Sequence, residues 1–303
     1  MSTNTITKTE FGDGWFNIIG SQLYSNTPVK MQCNYRGDGG PARFRFRDIE
    51  IDAHVSNIVK HEEIGLTTIG RDGIHIRQVE HILSALMGFN VLDTTIKLEY
   101  LDDHSDRTVI SPPACHLNAN EFSRAILSTF HRRPKDGPIK PARLEEAYVI
   151  RENSSSDVSP SVAIFAPLHK LNVTAHIDYT GFIGTQTISK DITPHNYLKD
   201  ICWARSFFTS SFPHDVEWEQ IRSVFPAVLR KEENHLRSMI LDYTSTNWIT
   251  PVVDDTEPVR HKLLDFLGDI ALVGCSFNAG IYVYKPHHKF NRQCAKEIIS
   301  LLN

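Results

Sequence analysis

His261, Asp265 and Asp269 recur at four-residue intervals in the run VRHKLLDFLGD. At 3.6 residues per turn this spacing puts one imidazole and two carboxylates on a single helix face. Val259, Leu263, Leu264 and Leu267 make the same helix at least half buried. A carboxylate buried without a partner is costly, and a divalent cation is one way to compensate it. A second segment, VEHILSALMG (79–88), offers His81 as a further ligand and Glu80 beside it. Two His and one Asp suit zinc with a fourth position left to water, the arrangement of a catalytic rather than a structural site. Zinc so held brings the pKa of a water to about 7. Glu80 is placed to take the proton as that water attacks a carbonyl. The plainer alternatives are an i,i+4 ion pair between His261 and Asp265, worth about 0.2–0.5 kcal/mol at a surface, and a solvated Glu80–His81 pair on a helix edge.

The helices that must position these groups share a frame. VEHILSALMG and VRHKLLDFLG both read V-x-H-x-L-x-x-x-x-G, and each is followed by an apolar strand-like run and another helical pattern. This points to an internal duplication with the metal at the interface of two similar halves. The 303 residues are enough for two domains of ordinary size. With 41% apolar and 22% charged residues the chain is globular, and its formal charge of -4 gives no basic stripe for nucleic acid. No run of 18 apolar residues is present to span a membrane, and the polar start MSTNTITKTEFGDGW lacks a signal core. Five scattered cysteines form neither a disulfide framework nor a Cys-type zinc site, so a cytoplasmic location is expected.

Residues 14–76 read as strands and turns, with a helix near 77–87 closed by Gly88. A strand follows at 90–100, then a helix at 118–130 with an Asn cap. HRRPKDGPIKPAR (131–143) reads as the linker between a first domain, 1–133, and a second, 144–303. In the second, SVAIFAP and LNVTAHIDYTG are expected to pair as a hairpin. A helix is expected near 196–205, with Asp191, Thr193 and Asn196 as candidate caps. An insert at 210–256 carries a helix-like piece, DVEWEQIRSVF. GIYVYK is a strand, and a C-terminal helix starts at Asn291. Runs of strands followed by helices in each half predict an α+β fold: two similar domains, each layering a sheet against helices, with the active site between them.

Together VEHILSALMG, VRHKLLDFLGD and YKPHHKFN resemble the three motifs of the UDP-3-O-acyl-N-acetylglucosamine deacetylase family, the zinc amidase of lipid A synthesis. ARSFF (204–208) is similar to that family's A-R-T-F-G. The resemblance implies that His81, His261 and Asp265 hold one Zn2+, with Fe2+ possible in its place, and that Glu80 is the general base. It implies that His288 stabilises the oxyanion and protonates the leaving amine, with Asp269 holding it charged and oriented. Lys262 would face substrate phosphates, Ser206 would donate to the carbonyl oxygen, and Phe207 would pack on the sugar of a nucleotide-sugar lipid or another small acylated amine. From the residues alone, Ser206 also reads as a capping hydroxyl on a helix end, His287 and His288 as a basic surface turn, Phe207 as core, and Lys262 as a solvated lysine.

The chain departs from the family pattern at several points. QLYSN (22–26) lacks the histidine of a G-L-H-T-G turn, and ISPPACHLN (110–118) stands where M-D-G-S-A is expected. VLRKEENHLRSMILDY (228–243) is charged and free of glycine, Phe208 replaces a glycine, and so does His287. The catalytic set is kept while segments that would shape the substrate site are changed. Two other readings therefore stand beside the lipid A precursor deacetylase: a divergent zinc amidase for another N-acylated amine, and a binding protein that kept the fold.

Overall fold

Alternation of apolar and polar residues builds the strands of the two large sheets, with one mainly apolar row of each turned inward. The computed structural model describes residues 8–11, 15–23, 27–59, 65–102, 106–129, 140–152, 160–209, 239–241 and 252–302. The first half runs β1 (Lys8–Glu10), β2 (Phe16–Ser21), β3 (Pro28–Tyr35), β4 (Arg43–Phe46), β5 (Ile49–Asp52), β6 (Thr68–Arg71), β7 (Ile74–Arg77), α1 (Glu80–Gly88), β8 (Thr94–Tyr100), β9 (Val109–Ile110) and α2 (Asn120–Thr129). The second runs β10 (Ala142–Arg143), β11 (Tyr148–Arg151), β12 (Val162–Ala166), β13 (Leu171–Asp178), β14 (Thr185–Asp191), α3 (Pro194–Asp200), β15 (Phe207–Thr209), β16 (Met239–Leu241), α4 (Glu257–Ile270), β17 (Phe277–Tyr284) and α5 (His288–Ile298). The fold is α+β, with one large sheet in each half.

Five strands of each sheet share one topology, β1 being an added edge strand of the first. Their orders are β1-β2-β3-β8-β4-β5 and β11-β12-β17-β13-β14, with β10 paired to β17. In each, two antiparallel pairs are laid down first, a helix follows, and a last strand enters between the pairs. That strand runs antiparallel to β3 or β12 and parallel to β4 or β13. The crossover helices are α1 and α4, as a parallel connection requires. Val29, Met31 and Cys33 of β3 and Ile96 and Leu98 of β8 are buried, while Lys30, Gln32, Lys97 and Glu99 alternate with them on the opposite face. The same alternation runs through Phe277, Ala279, Ile281 and Val283 of β17.

Both crossover helices lie in the interior: α1 is mostly apolar, whereas α4 buries Glu257, His261, Asp265 and Asp269 among its apolar residues. Every residue of α1 is buried, and twelve of the fourteen in α4. Their close approach depends on Gly268: a Cβ there would stand 2.0 Å from the carbonyl oxygen of Glu80. Among the described residues, no helix is long and apolar enough to cross a membrane.

Several local expectations are corrected. SVAIFAP and LNVTAHIDYTG do not form a hairpin, because β17 lies between β12 and β13 and bonds to both. Gly88 is inside α1, which begins at Glu80, and Phe89 is its C-cap. The helix expected near 196–205 is α3, capped by Thr193, and it ends at Asp200. The C-terminal helix begins at His288 rather than Asn291, because the His287 side chain accepts from Phe290 N and caps it. Ala142 and Arg143, read as linker, pair in parallel with β17. Residues 131–139 of that linker and the helix-like piece at 215–225 lie outside the described residues.

Candidate active site

α1 and α4 bring three potential ligands to one point. A ring nitrogen of His81, one of His261 and a carboxylate oxygen of Asp265 all lie within 4.8 Å of one another. Asp265 Oδ1 is 3.3 Å from His261 Nε2 and 3.6 Å from His81 Nε2, and the two imidazoles meet edge to face with centroids 5.4 Å apart. His261 Nδ1 faces the carbonyl of Ala204 at 3.0 Å. A carbonyl only accepts, so Nδ1 carries the proton and Nε2 presents its lone pair toward Asp265, the tautomer a metal ligand needs. Burial drives the His261 pKa down to about 3 against the pull of Asp265, so the ring is neutral. Burial opposes the Asp265 charge, but the Lys262 and His288 cations beside it outweigh burial and hold the carboxylate ionised, well below its usual range. Its Oδ2 meets Lys262 Nζ at 2.9 Å, whereas Oδ1 is buried with no hydrogen-bond partner. An orphaned anionic oxygen between two imidazole nitrogens fits a divalent cation.

Two further titratable side chains, Glu80 and His288, flank this cluster. Glu80 is 2% exposed, and its Oε2 accepts from Thr67 N at 3.0 Å. Burial raises its pKa, with His288 and His81 acting in the opposite direction. The alternative of a solvated Glu80–His81 pair on a helix edge is therefore excluded. His288 opens α5 with Nδ1 2.9 Å from Asp269 Oδ2 and Nε2 3.7 Å from Asp265 Oδ2. A cation is disfavoured both by burial and at a helix N-terminus, yet Asp269 and Asp265 prevail and lift the His288 pKa to about 9. Asp269 is fully buried and also receives Asn291 Nδ2 at 2.9 Å. His287, by contrast, is a half-exposed ring paired with Glu152, so only one of the two histidines belongs to a surface turn.

Lys262 is bound to Asp265 rather than solvated, and its ammonium lies 5.5 Å from the Phe207 ring centroid. Phe207 is half-buried. Its ring meets Tyr179 and His261 edge to face, at 5.6 and 6.4 Å. Ser206 is not on a helix end: its N–H donates to Leu117 O, and it lies just before β15. Among the described residues no hydrogen bond joins its hydroxyl to the cluster. The structure thus gathers Glu80, His81, His261, Lys262, Asp265, Asp269, His288 and Phe207, and leaves Ser206 beside them.

Sequence reasoning missed the supports. Glu257, fully buried, accepts from Arg205 N, Nε and Nη2 at 3.1, 2.8 and 2.9 Å and from Val253 N at 2.9 Å. It ties the ARSFF segment, and with it the Ala204 carbonyl, to the first turn of α4. Its signal was present one helical turn before His261. Asn291 closes the YKPHHKFN motif and carried a signal too. Thr67 and Tyr179 carried none.

The profile of the UDP-3-O-acyl N-acetylglycosamine deacetylase family matches residues 14–300. A UDP-3-O-acyl-N-acetylglucosamine deacetylase of Syntrophus aciditrophicus is 27% identical over 234 residues, 77% of this chain and 67% of the relative. A probable mitochondrial UDP-3-O-acyl-N-acetylglucosamine deacetylase 1 of Arabidopsis thaliana is 27% identical over 294 residues, 94% of this chain and 86% of the relative. One from Pseudomonas entomophila is 26% identical over 255 residues, 83% and 76% of the two chains. With the match extending over nearly its whole length, the chain belongs to the UDP-3-O-acyl N-acetylglycosamine deacetylase family and is a hydrolase of the deacetylase type.

Proposed function

We propose that this chain is a zinc-dependent N-deacetylase that hydrolyses the acetamide of a UDP-3-O-acyl-N-acetylglucosamine-like substrate, as in lipid A synthesis. His81, His261 and Asp265 would hold one Zn2+, and Fe2+ suits the same donors. Bound there, the cation supplies a Lewis acid that polarises a carbonyl and brings the pKa of a water to about 7. Glu80 takes the proton of the attacking water. As the carbon–nitrogen bond breaks, the His288 imidazolium gives its Nε2 proton to the departing amine and acetate is released. Asp269 keeps that imidazolium charged and aimed. Ser206 would donate its hydroxyl to the oxyanion, Lys262 would meet a substrate phosphate, and Phe207 would pack on the sugar. A reducing compartment such as the cytoplasm suits the five cysteines, all of them unbridged.

One observation carries this reading: the buried, unpartnered Asp265 Oδ1 between the Nε2 atoms of His81 and His261. Acetate release from the nucleotide-sugar lipid precursor, lost on chelation and restored by zinc, is the expected result. Zinc-loaded protein that releases no acetate from this or any other N-acetylated amine defeats it.

A second reading keeps the chemistry and changes the substrate. It is favoured by the two segments that depart from the family pattern, because they are pinned together: Gln22 Oε1 accepts from Ser111 N at 2.7 Å and Ser111 Oγ at 3.3 Å. Turnover of a smaller acylated amine in preference to the lipid precursor would select it.

A further inference from the structure

Thr67, which sits just before β6 and is fully buried, touches Glu80 and the Asp269 carboxylate that faces His288. Its backbone N–H donates to Glu80 Oε2 at 3.0 Å, and its hydroxyl lies 2.5 Å from Asp269 Oδ1. The direction of the second bond is fixed by a neighbour. Arg292 Nη1 stands 3.0 Å from the same hydroxyl oxygen, and a guanidinium only donates. Thr67 Oγ1 therefore accepts from Arg292 and gives its single proton to Asp269. Asp269 Oδ2 already faces His288 Nδ1 and Asn291 Nδ2. With both oxygens accepting, Asp269 is a carboxylate, Nδ1 of His288 carries a proton, and Nε2 is the atom turned toward Asp265. The Thr67 carbonyl accepts from Val79 N at 3.3 Å, so the residue also holds the N-cap of α1.

We propose that Thr67 is a positioning residue for both proton-transfer groups at once: its amide sets Glu80, its hydroxyl sets the Asp269–His288 pair, and so the acceptor and the donor of the reaction are held in register by one side chain and its own backbone. The inference rests on the roles given to Glu80 and His288 above. It matters because a misplacement of about 1 Å in a reacting group can cost 10²-fold.

The test compares zinc-loaded Thr67→Val, which keeps the amide and the volume but removes the hydroxyl, with Thr67→Ser, which keeps the hydroxyl. Thr67→Val should lose about tenfold or more in kcat, the usual effect of removing an orienting partner, with KM and bound zinc unchanged. Thr67→Ser should regain most of that kcat although it loses a buried methyl. If both variants melt earlier but keep wild-type kcat per zinc-loaded site, the role is structural and the inference is overturned. Should Thr67→Val fail to fold, Thr67→Cys replaces it, since a thiol is only a weak donor; the same loss is expected, and unchanged kcat again overturns the idea. Glu80→Gln, assayed in parallel, separates the two levels. Retained turnover there defeats the acid–base assignment and this inference with it. An inactive Glu80→Gln beside a fully active Thr67→Val defeats the inference alone.

Discussion

Asp265 uses one carboxylate oxygen on Lys262 and leaves the other bare between two imidazoles, and the chemistry of neighbouring side chains follows from that asymmetry. Glu80 is not among the three potential ligands, so Glu80→Ala should keep its metal, measured by elemental analysis, and lose turnover by about 10²- to 10⁴-fold, the range of general acid–base catalysis. Loss of metal together with activity would make Glu80 a ligand instead. His288 should govern the basic limb of the pH–rate profile. Burial lowers its pKa, Asp269 and Asp265 raise it more, and the balance is about 9 without a cation. Because this folded value lies above the ordinary imidazole value, the charged form is fully present at neutral pH and is lost as pH rises through it. A cation at Asp265 repels the imidazolium, so the limb of the loaded enzyme should fall at or below 9. Asp269→Asn removes the nearest negative charge and should move the limb to lower pH. A limb that stays put in Asp269→Asn would assign it to another group. The grouping of these side chains was readable in the sequence where spacing carried it, as for His261, Asp265 and Asp269 at one-turn intervals. Thr67 was not readable: it acts on Glu80 through a backbone N–H, which leaves no mark on residue type.

At the level of elements, the glycine that closes the shared V-x-H frame does different work in its two copies. Gly268 lets α4 lie against α1: a Cβ would meet Glu80 O at 2.0 Å, its carbonyl carbon at 2.6 Å and its Cα at 2.8 Å, all backbone. Gly88 faces the Tyr197 ring, 2.4 Å from such a Cβ, and that ring is held by its hydroxyl on Ser84 at 2.8 Å. Alanine in a helix gains about 1 kcal/mol over glycine, but overpacking costs about 1–3 kcal/mol or more, and backbone cannot swing aside as a side chain can. Gly268→Ala should therefore lower the melting temperature and, by displacing Glu80, reduce kcat as well. Gly88→Ala should destabilise with little effect on kcat per folded site. Equal kcat losses in the two would remove the special place given to Gly268. The frame was visible in the sequence because both helices repeat it at the same spacing. The order of strands was not, since β17 enters between β12 and β13 more than 90 residues after the second of them is complete. Strands adjacent in sequence read as a hairpin unless a later strand claims the space between them. The start of α5 was misread for a different reason, because histidine is not an ordinary N-cap residue.

Across the whole molecule, two halves of one topology each contribute a crossover helix, and the candidate ligands are split between them. His81 comes from α1 in the first half, and His261 and Asp265 from α4 in the second. A cation there would join the halves as well as serve the reaction. Without it, an ionised Asp265 oxygen stays buried and unpartnered, a destabilising arrangement. A ligand that binds only the folded state stabilises by RT ln(1 + [L]/Kd), about 4 kcal/mol at a thousandfold excess over Kd. Protein stripped with a chelator should therefore melt several degrees lower, and its melting temperature should climb with the logarithm of added zinc. His81→Ala removes the first half's only contribution to the trio, so zinc should raise its melting temperature far less. Calorimetry at constant pH reads both. A wild-type transition indifferent to zinc, or a His81→Ala variant that responds as strongly as wild type, would place the cation somewhere other than between the two halves.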